Sequence, residues 1–307
     1  RHALAEEGYA VAGFTSHAIR NLEVHPKTKP AGEKMFELFL TRREYADGSF
    51  AGPIYFGEQL AFVRLLKRWD SLDLLPKNAP DGTGELKVDE LLYLGQSRGS
   101  AVGIPLMAYE PSFVAASLNA SGGRRWAYVL HPKAEPNYRA VAARFPKMRA
   151  PTYYVGAAVV QTWMDRVDPM VHARRLYRDR VDLGANGRRA SLLFGEGVGD
   201  PIVPPESTRT AAAAMGLPLV DPALEPEAFL DRASPPLQGN IDADTTAGLV
   251  QFEVPDDAPE KVACEGKANA HQWSQGSPEA WELRLRFYES ALDASAPTIP
   301  DYTTLAP

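Results

Sequence analysis

A serine, an aspartate and a histidine stand in contexts that suit a nucleophile and its base. Ser97 lies in the run GQSRG, Asp200 in GEGVGDPIVP and His271 in NAHQW. A serine hydroxyl is a weak nucleophile near neutral pH, so it needs a histidine that accepts its proton. The histidine needs a carboxylate that holds its tautomer and stabilises the imidazolium. These residue types predict acyl transfer through a Ser-His-Asp triad.

The segment around Ser97 is typical of a sharp turn between a buried strand and a buried helix. An apolar run at 91–94 precedes the serine, and small and apolar residues follow at 101–108. Side chains at positions 95 and 99 would be expected to collide with the neighbouring backbone, which favours glycine at both. We therefore expect the hydroxyl of Ser97 above the sheet edge. The backbone N–H of Arg98 is the candidate oxyanion donor.

Asp200 is the candidate acid. It follows a strand predicted at 189–195 and precedes a helix, and the order serine, acid, histidine is that of α/β-hydrolases. Glu196 and Asp168 are rival acids, the first nearer the strand end and the second in a segment that interrupts the fold. A turn aspartate before Pro201 is the simpler interpretation and stays open.

His271 is the candidate base. It lies between a strand predicted at 248–254 and a helix predicted at 278–292, and a surface histidine is its simpler interpretation. The spacing of the five other histidines has no metal-site signature, and we expect neither a metal nor an organic cofactor. The remaining histidines lie before the serine or between it and Asp200: His2, His17, His25, His131 and His172.

Strands alternate with helices along most of the chain, which predicts a mainly parallel sheet covered by helices on both faces. The segment 124–182 interrupts the alternation and is rich in aromatic residues and arginine, so we expect a mostly helical lid. The lid separates two parts of a hydrolase core, 1–123 and 183–307. Candidate residues of the substrate pocket are Gln96, Trp126, Tyr153 and Trp163. Packing inside the lid stays an equal alternative for the aromatic side chains.

The first residues predict the end of a helix at 2–8 and a buried strand at 9–14. We therefore expect the chain to begin in mid-fold. An N-terminal segment, or a second chain, would then supply the first strands and the second oxyanion donor.

The composition excludes several function classes. The 307 residues carry a net charge of −6, whereas a nucleic-acid-binding protein usually has a basic excess. No apolar run approaches the roughly 20 residues that cross a bilayer. The single cysteine, Cys264, cannot form an internal disulfide. We expect a small-molecule or lipid ester as the partner.

Several blocks of the chain resemble one family. They are GYAV, DELLYLGQSRGS, VVQTWMDRVDPMVHARRL, LLFGEGVGDPIVPPESTRTAAAAMGLP and TTAGLVQFEVP. Together, over 8–292, they resemble bacterial extracellular and cell-surface lipases of the virulence-factor type. The resemblance implies an α/β-hydrolase fold, ester hydrolysis, export to the cell envelope or medium, and the nucleophile, acid and base at Ser97, Asp200 and His271. Two departures are Arg98 beside the nucleophile and the absence of a glycine after His271.

The sequence thus predicts a serine carboxylic-ester hydrolase, an esterase or lipase that forms an acyl-enzyme. Two alternatives stay open. One is a serine peptidase on the same fold, and the other is a catalytically silent hydrolase fold that serves as a surface binding module.

Overall fold

The computed structural model describes residues 2–13, 53–68, 88–124, 155, 158, 161–162, 165–166, 168–183, 189–258, 261–262, 266–267, 269–293 and 296–305. By its contacts the chain divides into two units, 1–91 and 92–307. In the described residues no helix is long and apolar enough to cross a membrane. Cys264 and the lid aromatics Trp126, Tyr153 and Trp163 lie outside the described residues.

The first unit contributes two described helices, α1 (His2–Glu6) and α2 (Pro53–Arg68). Helix α1 confirms the helix predicted at the start of the chain. The strand predicted at 9–14 is wrong over its described part, because residues 9–13 form no regular structure. Residues 10–13 are exposed, and an apolar run becomes a strand only where a neighbouring strand pairs with it.

The second unit is built on a sheet of six strands, β1 (Leu91–Gln96), β2 (Phe113–Asn119), β3 (Ser191–Gly197), β4 (Leu219–Val220), β5 (Arg232–Ala233) and β7 (Ala247–Phe252). Their order in the sheet is β1-β2-β3-β7-β4-β5. The pairs β2–β3, β3–β7, β4–β7 and β4–β5 are parallel. The mainly parallel sheet predicted from the sequence is therefore confirmed.

Two antiparallel pairs stand beside this sheet. Strand β6 (Leu237–Gln238) pairs with β10 (Thr298–Ile299), and β8 (Lys261–Val262) pairs with β9 (Gly266–Lys267). These strands are two residues long, which is too short to give the alternating pattern on which strand prediction depends.

The central strands β2, β3 and β7 are buried along their whole length. Strands covered on both faces appear in a sequence as continuous apolar runs, as FVAA in β2 and LLF in β3 do, and polar residues follow at the carboxyl ends of both strands, at Asn119 and Glu196. The polar ends mark the sheet edge at which function is expected.

Helices cover both faces of the sheet. They are α3 (Arg98–Tyr109), α4 (Pro169–Tyr177), α5 (Pro205–Met215), α6 (Ala270–Gly276) and α7 (Pro278–Asp293), and a 3₁₀ turn follows at Tyr302–Thr304. Leu118 of β2 faces α3, whereas its neighbour Ser117 accepts a hydrogen bond from Arg284 of α7. Successive side chains of a strand point to opposite faces, so α3 and α7 lie on opposite sides.

Helix α3 lies unusually close to the sheet at Gly103. A Cβ atom there would lie 2.6 Å from Leu118 Cδ2 and 2.7 Å from Tyr93 Cε1. Real Cβ atoms do not approach other carbons so closely, so a side chain at this position would push α3 away from β1 and β2. The small residue thus fixes the helix that begins immediately after Ser97.

We predict that Gly103→Ala lowers the free energy of unfolding by about 1 to 3 kcal/mol, because the clash outweighs the higher helix propensity of alanine. The control is Gly57→Ala in the exposed part of α2, where no described atom lies within 4 Å of the added Cβ. That variant should gain about 0.5 to 1 kcal/mol. Urea unfolding measures both changes, and a Gly103→Ala variant as stable as the parent would contradict the prediction.

Candidate active site

Ser97 occupies a strained turn between β1 and α3. Its backbone has φ 51° and ψ −112°, a conformation that L-residues rarely adopt. The Ser97 N–H donates to Asn119 O at the end of β2 at 2.8 Å, and Ala101 N–H donates to Ser97 O at 2.9 Å. These bonds hold the strained residue in place. The half-buried side chain makes no capping bond to the described first turn of α3.

The two glycines of the GQSRG run differ in how much space surrounds them. A Cβ at Gly95 would lie 2.8 Å from both Gly99 C and Ser100 N, so only glycine fits there. At Gly99 no described atom lies within 4 Å of an added Cβ. The collision expected at position 95 is confirmed, and the one expected at position 99 is wrong, because a Cβ on Gly99 would point into a space that holds no described atom, although the Gly99 backbone itself packs against Gly95.

The first turn of α3 points backbone N–H groups toward the turn. The first intrahelical bond is made by Ala101, so the N–H groups of Arg98, Gly99 and Ser100 precede it. Such groups have no acceptor within their own helix, and the helix dipole adds partial positive charge beside them. This end of the helix is suited to a negatively charged oxygen next to Ser97.

Asp200 lies in the turn after β3 with its carboxylate buried. The side chain is held by its own backbone turn, since Oδ1 accepts from Ile202 N at 2.7 Å and from Val203 N at 2.9 Å. Oδ2 lies 2.7 Å from His271 Nδ1. The residue is 3% exposed, and hydrogen bonds to both oxygens are what a buried carboxylate requires.

His271 is the second residue of α6 and is 5% exposed. Asn269 caps this helix by accepting from Gln272 N at 3.1 Å. An ionised carboxylate only accepts hydrogen bonds, so the contact with Asp200 requires that Nδ1 carries the proton. Nε2 is then the basic nitrogen. The sequence analysis placed His271 between a predicted strand and a predicted helix and predicted no helix at the residue itself, although Asn269 is a preferred N-cap residue and signals one.

The approach of His271 to Asp200 depends on a glycine in β3. A Cβ at Gly197 would lie 2.0 Å from Ala270 O, inside the backbone of α6. Gly195 has a similar role, since its Cβ would lie 2.0 Å from the side-chain oxygen of Asn119, the residue that anchors Ser97. Two of the three glycines in the GEGVGD run, Gly195 and Gly197, thus make room for the helix that carries the base and for the residue that anchors the nucleophile.

Gln96 joins the serine turn to the histidine helix. Its Nε2 donates to the backbone oxygen of His271 at 2.7 Å. Because Gln96 directly precedes Ser97, this bond brings the turn and α6 together. The structure therefore brings Asp200 and His271 into direct contact and ties both to the strand that ends at the serine.

The two rival acids have other partners. Glu196, 1% exposed, accepts from Arg209 at 2.7 and 2.9 Å and from Gln251 at 3.0 Å. Burial raises the pKa of Glu196 to about 7, and the Arg209 guanidinium opposes that rise. Asp168, fully buried, caps α4 by accepting from Met170 N and also accepts from Arg124 N, both at 2.9 Å.

His172 is also accounted for by packing. Its Nδ1 lies 2.9 Å from Tyr109 Oη, and its Nε2 lies 2.9 Å from Arg166 O. Burial lowers the pKa of His172. Over the described ranges, no group of three or more histidine, cysteine and acidic side chains is placed to hold a metal ion.

We predict that Gly197→Ala displaces α6 and breaks the contact between Asp200 and His271. The low-field proton resonance of the hydrogen-bonded Nδ1–H should disappear in one-dimensional NMR. The control is Gly248→Ala, whose Cβ would meet only side chains, the nearest being Val220 Cγ2 at 2.7 Å. This control should lose stability and keep the resonance. A Gly197→Ala protein that keeps the resonance would show that the close approach is unnecessary.

A scan against protein-family models and a search of curated proteins both find no match. Among solved structures, a puromycin-hydrolyzing peptidase of Mycobacterium tuberculosis is similar over 64% of this chain, with 16% identity and a TM-score of 0.34. Acetyl xylan esterase 1 of Thermoanaerobacterium sp. JW/SL YS485 is similar over 80% of it, with 13% identity and a TM-score of 0.37.

The chain spans 22% of the length of that peptidase and 55% of the length of that esterase. Similarities at this level carry no argument about activity. The α/β-hydrolase fold of this chain rests on its own parallel sheet and on the strand–serine–helix turn at the end of β1.

Proposed function

We propose that the chain is a serine carboxylic-ester hydrolase that acts through an acyl-enzyme. The observation that carries this proposal is the buried contact between His271 Nδ1 and Asp200 Oδ2, tied through Gln96 to the strained strand-to-helix turn of Ser97. A buried histidine that is held in one tautomer, with Nε2 left as a base, suits proton transfer better than packing alone.

In the proposed first step, the Ser97 hydroxyl attacks the carbonyl carbon of the ester while His271 Nε2 takes its proton. The Asp200 carboxylate stabilises the imidazolium that forms. The Arg98 N–H at the start of α3 donates to the oxyanion, as its position ahead of the first intrahelical bond allows. The tetrahedral intermediate then expels the alcohol, whose oxygen receives the proton from His271.

In the proposed second step, water attacks the acyl-enzyme carbonyl and His271 accepts a proton from that water. The second tetrahedral intermediate releases the carboxylic acid, and His271 returns the proton to the Ser97 oxygen. The protein begins and ends in the same state. The proton moves only between oxygen atoms and one imidazole nitrogen, which the buried carboxylate keeps oriented.

The lid over 124–182 stays a prediction, and one contact supports it. Arg124 N donates to Asp168 Oδ1, so the first residue of the predicted lid lies next to residue 168. Gly123 is tied there to α5, since its N–H donates to Ser207 Oγ at 2.7 Å. Gly123 and Arg124 come shortly after β2, the strand whose last residue binds the N–H of Ser97. An insertion there would lie over the active-site edge and could contribute Trp126, Tyr153 and Trp163 to a pocket.

From the sequence resemblance we propose, more specifically, that the protein is a lipase or esterase of the bacterial extracellular and cell-surface type. Such a protein would be exported to the cell envelope or medium. The sequence blocks that carry the resemblance support it, chiefly GEGVGDPIVP, which contains Asp200 and the glycine that admits α6. The substrate would be a small-molecule or lipid ester.

We predict that a fluorophosphonate probe labels Ser97, because an activated serine oxygen attacks phosphorus as it attacks a carbonyl carbon. Ser97→Ala and His271→Ala should abolish labelling. Asp200→Asn should slow labelling by about 10³- to 10⁴-fold, because the amide favours the wrong tautomer. Peptide mass spectrometry of the digested protein identifies the labelled residue.

The matched control is Asp256→Asn, an exposed aspartate that should leave the labelling rate unchanged. Labelling that survives in His271→Ala at the parental rate would remove the proposed base. A folded parent that the probe does not label would favour the catalytically silent binding module.

We predict that p-nitrophenyl esters are turned over, whereas the p-nitroanilides of the same acids are not measurably hydrolysed. The p-nitrophenolate of the ester leaves more readily than the p-nitroaniline nitrogen of the amide, and nothing in the described site is specific for a peptide. Turnover is followed by absorbance with both series at matched concentrations. Comparable kcat/KM values for the amides would support the peptidase alternative.

A further inference from the structure

We propose, on the basis of the ester-hydrolase function, that Gln96 is a positioning residue that sets His271 against Ser97. A Ser-His pair works only when the imidazole nitrogen reaches the hydroxyl. In this fold Ser97 follows β1, whereas His271 lies on α6 and contacts Asp200, which follows β3. The hydrogen bond from Gln96 Nε2 to His271 O joins β1 and α6 directly.

The sheet alone leaves a gap between nucleophile and base. Ser97 follows β1, whereas Asp200 follows β3, and β2 lies between these two strands. Neighbouring strands are roughly 4.8 Å apart, so β1 and β3 are separated by about 10 Å. The Gln96 side chain extends from the last position of β1 and donates to His271 O at 2.7 Å, so it links the strand of the serine to the helix of the base.

The contact between His271 and Asp200 does not fix the base relative to the serine. It sets the rotation and tautomer of the imidazole, and both of its partners lie on the β3 side. Helix α6 packs mainly on β3, β7 and α7, with Gly197 admitting Ala270 O. A small movement of α6 with Asp200 would keep that contact and still change the distance from Nε2 to the hydroxyl.

The chemistry of the bond explains a glutamine at position 96. The acceptor is a backbone carbonyl, so the side chain must present a donor, and an amide nitrogen only donates. If the amide of Gln96 were turned over, its Oε1 would lie against His271 O, and two acceptors would face each other. Because the bond is to the backbone, Gln96 acts on the position of α6 and leaves the imidazole to Asp200.

A second bond in the same region gives a matched comparison. Tyr288 of α7 donates through its hydroxyl to the backbone oxygen of Tyr93 in β1, also at 2.7 Å. It ties a C-terminal helix to the same strand, at a residue four positions before the serine. Tyr288→Phe therefore removes a bond of the same length that does not touch the helix of the base.

The test compares Gln96→Met, which keeps the length and removes the donor, with Tyr288→Phe. We expect Gln96→Met to lower the rate of fluorophosphonate labelling and the kcat for a p-nitrophenyl ester by about 10- to 100-fold, the effect of a misplacement of about 1 Å. KM should change less than twofold. The low-field Nδ1–H resonance should remain. Hydrogen exchange should rise in α6, as mass spectrometry can show.

Tyr288→Phe should keep the parental labelling rate, kcat and α6 exchange. Gln96→Met with parental kcat, or with unchanged exchange in α6, would overturn the positioning role while labelling of the parent upholds the proposed function. A parent that is not labelled would contradict the proposed function instead. In that case the hydrogen exchange of α6 decides the structural role of Gln96 alone. Faster exchange in Gln96→Met upholds the bond to His271 O as the restraint on α6, and unchanged exchange overturns it.

Discussion

The buried carboxylate of Asp200 is the constraint on which the site depends. A charged group at 3% exposure is tolerated only when its oxygens are hydrogen-bonded, and here the backbone turn serves one oxygen and His271 the other. Removing the histidine would leave that second oxygen without this partner. The same bond therefore holds the acid in the structure and fixes the tautomer of the base, so stability and the proposed chemistry depend on one contact.

Close packing at glycines gives the sheet the precision that this contact needs. Glycines at positions 95, 195 and 197 each admit an atom that would lie between 2.0 and 2.9 Å from a Cβ. They bring together the start of α3, the end of β2 and the start of α6. Glycines that allow close backbone contact, together with a few hydrogen bonds between the elements that meet there, therefore fix the geometry of the site.

Much of this arrangement could be predicted from the sequence. Apolar runs identified β1, β3 and β7, and the GQSRG run identified the turn, because burial and steric restriction leave clear patterns. The glutamine tie and the helix that carries His271 were missed, since a hydrogen bond between residues 96 and 271 leaves no local signal. The strand expected at 9–14 failed for the opposite reason, because a local pattern cannot supply a neighbouring strand.

The most direct test of whether Ser97, His271 and Asp200 form one site is a crystal structure of the protein after reaction with a fluorophosphonate. We expect phosphorus bonded to Ser97 Oγ, a phosphoryl oxygen within hydrogen-bond distance of Arg98 N, and His271 Nε2 facing the serine oxygen while Nδ1 keeps its contact with Asp200. An adduct on another residue, or an imidazole that faces away from Ser97, would contradict the claim that these three residues form one catalytic site.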